Sequence, residues 1–172
     1  MNYFDFYKLP ITLNLDIKYL RQLFLKKSKE YHPDYHTLEP ITKQQEILEL
    51  STLNNEAYKT LKDTEKRIKY VLELKNLLGA AIKPSIPQDF LLEMMDINEK
   101  IMELQFDYNV NTANIIRSKI ENKEIELRDS VQHIIDNYND ETSSINELEL
   151  IRDHYLKNRY LLRLKENMSK LI

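Results

Sequence analysis

The tetrapeptide Tyr31-His32-Pro33-Asp34 carries the residue types in this sequence that are best suited to recognising a partner. Pro33 has a fixed φ and disfavours helical backbone at the residue before it, so it ends any helix that reaches it. His32 and Asp34 are thereby placed on a tight bend, one on each side of the proline. The Asp34 carboxylate can there accept a charge-assisted, bidentate hydrogen bond from an arginine. The plainer interpretation is that Pro33 only ends a helix and that its neighbours are solvated.

The segment before this bend is basic and amphipathic, and it predicts a helix over about residues 16–31. Apolar side chains recur along one helical face, at Ile17, Leu20, Phe24 and Tyr31. Basic side chains occupy most of the remaining circumference, at Lys18, Arg21, Lys26, Lys27 and Lys29. A helix of this kind can steer an acidic protein surface toward the bend.

Amphipathic segments in the rest of the chain predict an all-α fold. After the bend we expect a helix that opens with a Thr42–Gln45 capping box, then a shorter helix capped by Asp63 or Thr64. Three longer helices follow, over about 87–106, about 112–138 and from 144 nearly to 172, where Ser144 and Glu147 have capping-box spacing. Their predicted core consists of Phe90, Met94, Ile97, Ile101, Leu104, Ile116, Ile120, Leu127, Val131 and Ile134.

The segment Pro84-Ser85-Ile86-Pro87 marks the clearest break in the chain. Gly79 is suited to end the helix before it, and Pro87 is suited to begin the helix after it. We therefore predict a first domain over 1–75, a linker over 76–87 and a three-helix bundle over 88–172. Residues 1–87 carry 14 basic and 11 acidic side chains, whereas residues 88–172 carry 11 and 17. The resulting charges of +3 and −6 favour two surfaces with different partners.

The composition excludes several kinds of site. The 172 residues include no cysteine and one glycine, so disulfides, thiolate metal sites and glycine-rich phosphate loops are ruled out. Neither half is basic enough to favour nucleic acid, and no apolar run has the length of a membrane span. The N-terminus lacks the features of a signal or transit peptide, which predicts a cytoplasmic protein. His32 and His36 are separated by Pro33 and cannot form a helical ligand pair, so we expect no metal.

The order of these features resembles the J-domain family. The likeness lies in the short first helix, the basic second helix, His32-Pro33-Asp34, and the run Leu53-Asn54-Asn55-Glu56-Ala57-Tyr58-Lys59-Thr60-Leu61-Lys62-Asp63 followed by Lys66-Arg67. The resemblance implies that the loop and the basic helix contact an ATP-dependent chaperone of the DnaK type and stimulate its ATP hydrolysis. The chaperone-binding residues that it implies are His32, Pro33, Asp34, Arg21, Lys26, Lys27 and Lys29. Tyr35 departs from the family, in which lysine often follows the aspartate.

Essentially the whole chain is similar to the bacterial form of HscB, a family of J-domain co-chaperones of iron–sulfur cluster assembly. The likeness lies in Asn2-Tyr3-Phe4, Leu9-Pro10, the total length and the segment 90–99, which begins Phe90-Leu91-Leu92-Glu93. It implies that the first domain recruits an HscA-type chaperone and that the C-terminal bundle binds an IscU-type scaffold. The implied scaffold contacts are Leu91, Leu92, Met95, Asp96, Glu99, Glu103 and Tyr160. The alternative is that this apolar strip packs inside the bundle or against the first unit.

Together these features predict an adaptor with no catalytic activity and no cofactor. It would stimulate the ATPase of an HscA/DnaK-type chaperone and bring an IscU-type scaffold to it at raised effective concentration. Two alternatives stay open. One is a J-domain co-chaperone whose bundle binds a different client protein. The other is a helical-bundle enzyme or metal carrier in which the His-Pro-Asp tripeptide is accidental.

Overall fold

The computed structural model describes residues 1–79 and 86–171, and its regular structure there is helical, with no strand. The all-α prediction is therefore confirmed. The helices are α1 (Tyr3–Tyr7), α2 (Ile17–Glu30), α3 (Ile41–Leu61), α4 (Thr64–Leu74), α5 (Gln88–Phe106), α6 (Val110–Asn137) and α7 (Ile145–Ser169), with one 3-10 turn at Pro33–Tyr35.

The chain divides into two compact units. The first contains Met1–Lys75 and the loop Tyr138–Ser143, and the second contains Asn76–Asn137 and Ser144–Ile172. Within the predicted linker, residues 80–85, and with them the predicted break at Pro84 and Ser85, lie outside the described part of the chain. Every helix in the described ranges is too polar or too short to cross a lipid bilayer.

Local sequence signals set two helix starts close to the predicted positions. The Asp16 carboxylate caps α2 by accepting hydrogen bonds from the backbone nitrogens of Lys18 and Tyr19, at 2.8 and 3.1 Å. At the start of α7, Ser144 and Glu147 form a capping box, in which the Ser144 backbone nitrogen donates to Glu147 Oε2 at 2.7 Å.

Two predicted helix ends are wrong. The capping box at Thr42 does not form, because α3 begins at Ile41 directly after Pro40 and has no side-chain cap. The proline, with its fixed φ, already places the chain at the helix start. Gly79 does not end α4, which stops at Leu74, and the left-handed residue that follows is Asn76, with φ of 57°. Asparagine tolerates this conformation better than most residues.

A buried asparagine holds the first unit together. Asn54, on α3, accepts a hydrogen bond from the Tyr7 hydroxyl of α1 at 2.7 Å. Its side-chain nitrogen donates to the backbone oxygen of Phe24 and to the hydroxyl of Ser28, both on α2, at 3.2 and 3.0 Å. One side chain therefore joins three helices, and the polar groups are satisfied although Asn54 is only 1% exposed.

A three-helix core forms the second unit. The apolar stripe predicted on α5 is buried against α6 and α7. The core residues predicted on α6 are buried as well. This cluster includes Phe90, Met94, Ile97, Ile101, Leu104, Ile116, Ile120, Leu127, Leu161 and Leu164. Other positions of α5 remain exposed, among them Leu92, Met95 and Met102.

Candidate functional site

The His32-Pro33-Asp34 sequence forms an exposed bend between α2 and α3. The 3-10 turn is closed by hydrogen bonds from the Tyr35 backbone nitrogen to the His32 oxygen at 3.0 Å and from the His36 nitrogen to the Pro33 oxygen at 2.9 Å. The side chains of His32 and Asp34 are 50% and 83% exposed. The turn therefore fixes the backbone of the bend while both polar side chains remain accessible.

A hydrogen bond within the bend indicates which tautomer the neutral His32 ring adopts. Its Nδ1 accepts a hydrogen bond from the Asp34 backbone nitrogen at 3.3 Å, so the neutral imidazole carries its proton on Nε2. Asp34 Oδ2 lies 3.8 Å from the same Nδ1, which is too far for a hydrogen bond. The Asp34 carboxylate thus keeps its acceptor capacity for a guanidinium group of a partner.

The basic residues of α2 divide into two groups. Of the four basic residues predicted to contact the chaperone, three are exposed, namely Arg21, Lys26 and Lys29. Lys27 instead packs within the first unit, where its Nζ lies 4.2 Å from the centre of the Phe6 ring and 3.3 Å from the Tyr31 hydroxyl. Its cation–π contact stabilises the unit, which reduces what Lys27 can contribute to a partner.

Sequence reasoning missed two side chains that hold the bend in place. The imidazole of His36 donates to the backbone oxygen of Glu30 at 2.9 Å. The Gln44 amide, on α3, donates to the backbone oxygens of Thr37 and Glu39 at 3.1 and 2.8 Å. Spacing gives no signal for these contacts, because they depend on the direction in which the 3-10 turn returns the chain.

In the second unit, α5 and α7 form an open groove with a volume of about 630 Å³. Met94 and Leu164 are each only 4% exposed and form its floor. Met95 and Met102 also line it and are 59% and 51% exposed. The full lining is Leu91, Met94, Met95, Asn98, Glu99, Met102, Tyr160, Arg163, Leu164 and Asn167. Exposed methionines give such a surface an apolar and adaptable character.

The structure brings only part of the predicted scaffold-binding set into this groove. Four of the seven residues line it, namely Leu91, Met95, Glu99 and Tyr160. The other three are exposed on α5 but do not line the groove, namely Leu92, Asp96 and Glu103. Residues four apart share one helical stripe, so positions 91, 95 and 99 lie together, and Leu92 and Asp96 lie farther round the helix. Glu103 continues the first stripe one turn beyond Glu99.

The alternative that this strip belongs to the bundle core is wrong for its exposed members. Leu92 is 55% exposed and Met95 is 59% exposed, and only Leu91 is half-buried. Apolar side chains left this open on one helix face are typical of a surface that a partner covers.

Asp96 occupies a different environment from the groove residues. It lines a separate hollow of about 240 Å³ between α5 and α6. Lys100 Nζ lies 2.7 Å from its carboxylate, and this hydrogen bond lowers the pKa of the Asp96 carboxyl group. A partner's cation would therefore have to compete with Lys100 for this carboxylate.

Three polar residues of the groove were not among the scaffold contacts predicted from the sequence, namely Asn98, Arg163 and Asn167. The Asn167 side chain donates to Asn98 Oδ1 at 3.3 Å, which joins the two walls of the groove. The i, i+3 and i, i+7 relation of Arg163 and Asn167 to Tyr160 is the sequence signal that could have indicated them. Within residues 1–79 and 86–171, no three histidine or carboxylate side chains are grouped so as to hold a metal ion.

Residues 86–169 match the family model described as the HSCB C-terminal oligomerisation domain. The co-chaperone protein HscB homologue of Psychromonas ingrahamii is 34% identical over 103 residues, which span 59% of this chain and 60% of that protein. The homologue of Paraburkholderia xenovorans is 26% identical over 136 residues, which span 78% of each chain. The first of these alignments thus covers about three-fifths of the relative's own length.

Solved structures show the same fold. The chaperone HscB from Vibrio cholerae superposes with a TM-score of 0.74 at 23% identity, covering 99% of this chain and 96% of that one. The human co-chaperone protein HscB superposes with a TM-score of 0.77 at 24% identity, covering 98% of this chain and 81% of that one. Residues 86–169 thus match an HSCB C-terminal domain, and the chain as a whole shares the fold of these two solved HscB proteins.

Proposed function

We propose that this protein is a J-domain co-chaperone that stimulates ATP hydrolysis by an HscA/DnaK-type chaperone and delivers an IscU-type iron–sulfur scaffold to it. The observation that carries the proposal is the exposed His32-Pro33-Asp34 bend, held by a 3-10 turn at the end of a helix with exposed cations. The match of residues 86–169 to the HSCB C-terminal domain and the similarity to HscB co-chaperone proteins support the same function.

The bend acts by binding one conformation of the chaperone better than another. The Asp34 carboxylate offers its oxygens to an arginine, and the Nε2–H of neutral His32 offers a donor beside it. The exposed cations of α2 attract an acidic surface and orient the encounter. A ligand shifts a conformational equilibrium only as far as it binds the two conformations with different affinities. The bend must therefore bind the ATP-hydrolysing conformation of the chaperone more tightly than its other conformation.

The groove between α5 and α7 holds the scaffold. Its apolar floor and exposed methionines suit an apolar segment, and Glu99 supplies a charge at the rim. When chaperone and scaffold are bound to one chain, the second encounter takes place at raised effective concentration. The protein supplies no catalytic group or cofactor in this scheme, and it acts in the cytoplasm, where ATP for the chaperone is present.

The proposal is tested with Asp34→Asn, which keeps the shape of the side chain and removes its charge. No hydrogen bond of the bend uses the Asp34 carboxylate, so the fold should survive. We expect stimulation of a purified HscA-type ATPase to fall by about ten- to a hundredfold, the worth of a hydrogen bond to a charged group.

The matched control is Glu39→Gln, which removes the same charge from an exposed residue of the same loop. We expect this variant to stimulate the ATPase like the unsubstituted chain. Full stimulation by Asp34→Asn, or an equal loss in both variants, would contradict the proposed contact.

A further inference from the structure

The α7 wall of the groove presents two arginines. Arg159 and Arg163 are four residues apart, so they project from the same side of the helix, and both are exposed. Arg163 lines the groove, and both arginines line an adjoining hollow of about 200 Å³. Tyr160 and Arg163 belong to the lining of both, so the groove and the hollow are continuous.

Neither arginine is neutralised by the part of the chain that the structure describes. Some cations of this unit have carboxylate partners: Lys100 pairs with Asp96 at 2.7 Å, and Lys123 pairs with Glu93 at 3.0 Å. No ion pair of this kind involves the guanidinium groups of Arg159 and Arg163 among residues 1–79 and 86–171. Their charge is therefore open to a partner.

The opposite wall has the opposite charge. Glu99, on α5, lines the same groove as Arg163, yet the two side chains do not form an ion pair. Glu103 is exposed one turn farther along α5. The groove thus has an apolar floor, a cationic wall on α7 and an anionic edge on α5.

We infer that the groove selects a segment of the scaffold that places an apolar side chain on the floor, a carboxylate against Arg159 and Arg163, and a cation against Glu99. This inference rests on the proposed function and adds the cationic wall to the contacts expected from the sequence. Arginine is suited to the first contact, because its planar guanidinium binds carboxylates through two parallel hydrogen bonds. A wholly basic segment, which the acidic edge alone would favour, is repelled by the α7 wall.

The test compares the binding of a purified IscU-type scaffold to the full chain and its variants by calorimetry. The double substitution Arg159→Glu with Arg163→Glu reverses the wall, and we expect about a tenfold or greater loss of affinity with a weaker dependence on salt. Arg163→Lys keeps the charge but loses the bidentate geometry, and we expect a loss of a few-fold. The control is Arg128→Glu, the same charge change at an exposed residue of α6 outside the groove.

A charge-reversed scaffold completes the test. Each acidic residue of the scaffold surface is changed to lysine in turn. One of these scaffold variants should bind the chain with Arg159→Glu and Arg163→Glu better than it binds the unsubstituted chain. If the double variant binds no worse than Arg128→Glu, while Leu91→Ala with Met95→Ala abolishes binding, this inference is overturned and the proposed function stands. If the unsubstituted chain does not bind the scaffold, the proposed function and this inference both fail.

Discussion

His36 Nε2 lies 2.9 Å from the backbone oxygen of Glu30, the last residue of α2. A carbonyl oxygen only accepts, so the ring nitrogen donates, and it can do so in both the neutral and the protonated ring. The last carbonyls of a helix have no donor within the helix, and this bond satisfies one of them. It also ties the residue that follows the 3-10 turn back to the helix before it, which closes the His32-Pro33-Asp34 bend at its base.

Because His36 holds the bend without belonging to the tripeptide, its removal should weaken the chaperone contact without abolishing it. We expect His36→Leu to raise the co-chaperone concentration required for half-maximal ATPase stimulation by about three- to tenfold, the worth of one hydrogen bond. The maximal stimulated rate should stay the same. His36→Gln places an amide donor at a similar distance and should recover most of the loss. Equal effects of His36→Leu and His36→Gln would show that the hydrogen bond from His36 to the Glu30 backbone does not position the bend.

The exposed strip on α5 gives a prediction for the scaffold. Leu91→Ala with Met95→Ala removes apolar surface from the groove, and we expect scaffold affinity to fall by about ten- to a hundredfold, as for central contacts of an interface. Since Met95 is 59% exposed, thermal stability should change little. ATPase stimulation measured without scaffold should be unaffected.

The matched control for this pair is Ile115→Ala with Ile125→Ala, two exposed apolar residues of α6. Scaffold affinity should be unchanged in this variant. A collapse of stability in the Leu91 and Met95 variant, with no specific loss of affinity, would show that the strip serves the bundle core.

Those features that depend on near neighbours in the chain could be predicted from the sequence. The Asp16 cap and the Ser144–Glu147 box are set by residues two or three positions apart. The buried stripe of α5 follows from the 3.6-residue period alone, so Phe90, Met94 and Ile97 were identified without a structure. The bend was predictable for the same reason, because Pro33 acts on its own backbone and on that of its neighbours.

Features that join distant parts of the chain could not be predicted in this way. Asn98 and Asn167 are 69 residues apart, and their contact across the groove depends on how α5 packs against α7. The sequence indicated Leu91 and Leu92 alike as scaffold contacts. Only the packing of the helices shows that Leu91 lines the groove and that Leu92 does not. Lys27 illustrates the same limit, since its charge suggested a partner whereas its position places it over the Phe6 ring.

The asparagine that joins three helices predicts a large loss of stability. Asn54→Ala removes the side-chain hydrogen bonds to Tyr7, Ser28 and the Phe24 backbone, although the Tyr7 hydroxyl keeps its contact with the backbone oxygen of residue 54 at 3.0 Å. We expect the free energy of unfolding of the first unit to fall by about 3 kcal/mol. Chemical denaturation followed by circular dichroism measures this change. The control is Asn55→Ala, an exposed neighbour on the same helix, for which we expect a change within about 0.5 kcal/mol. Similar losses in both variants would mean that helix propensity, rather than the buried hydrogen bonds, accounts for the effect.

The Tyr7 hydroxyl makes the stability of the first unit sensitive to alkali. Burial, and secondarily the nearby Tyr58, raise the pKa of Tyr7 above its ordinary value, so the folded chain keeps this proton where the unfolded chain loses it. This contribution is complete below the unfolded pKa of about 10, and above it the free energy of unfolding should fall by about 1.4 kcal/mol per pH unit. Tyr7→Phe lacks both the titrating group and the hydrogen bond to Asn54, so it should be less stable near neutral pH. The difference in the free energy of unfolding between the unsubstituted chain and Tyr7→Phe, measured by denaturation over this pH range, should become smaller as the pH rises. The titration of the lysines affects both chains alike and cancels in this difference. A gap that stays constant would show that Tyr7 ionises equally in the folded and unfolded states.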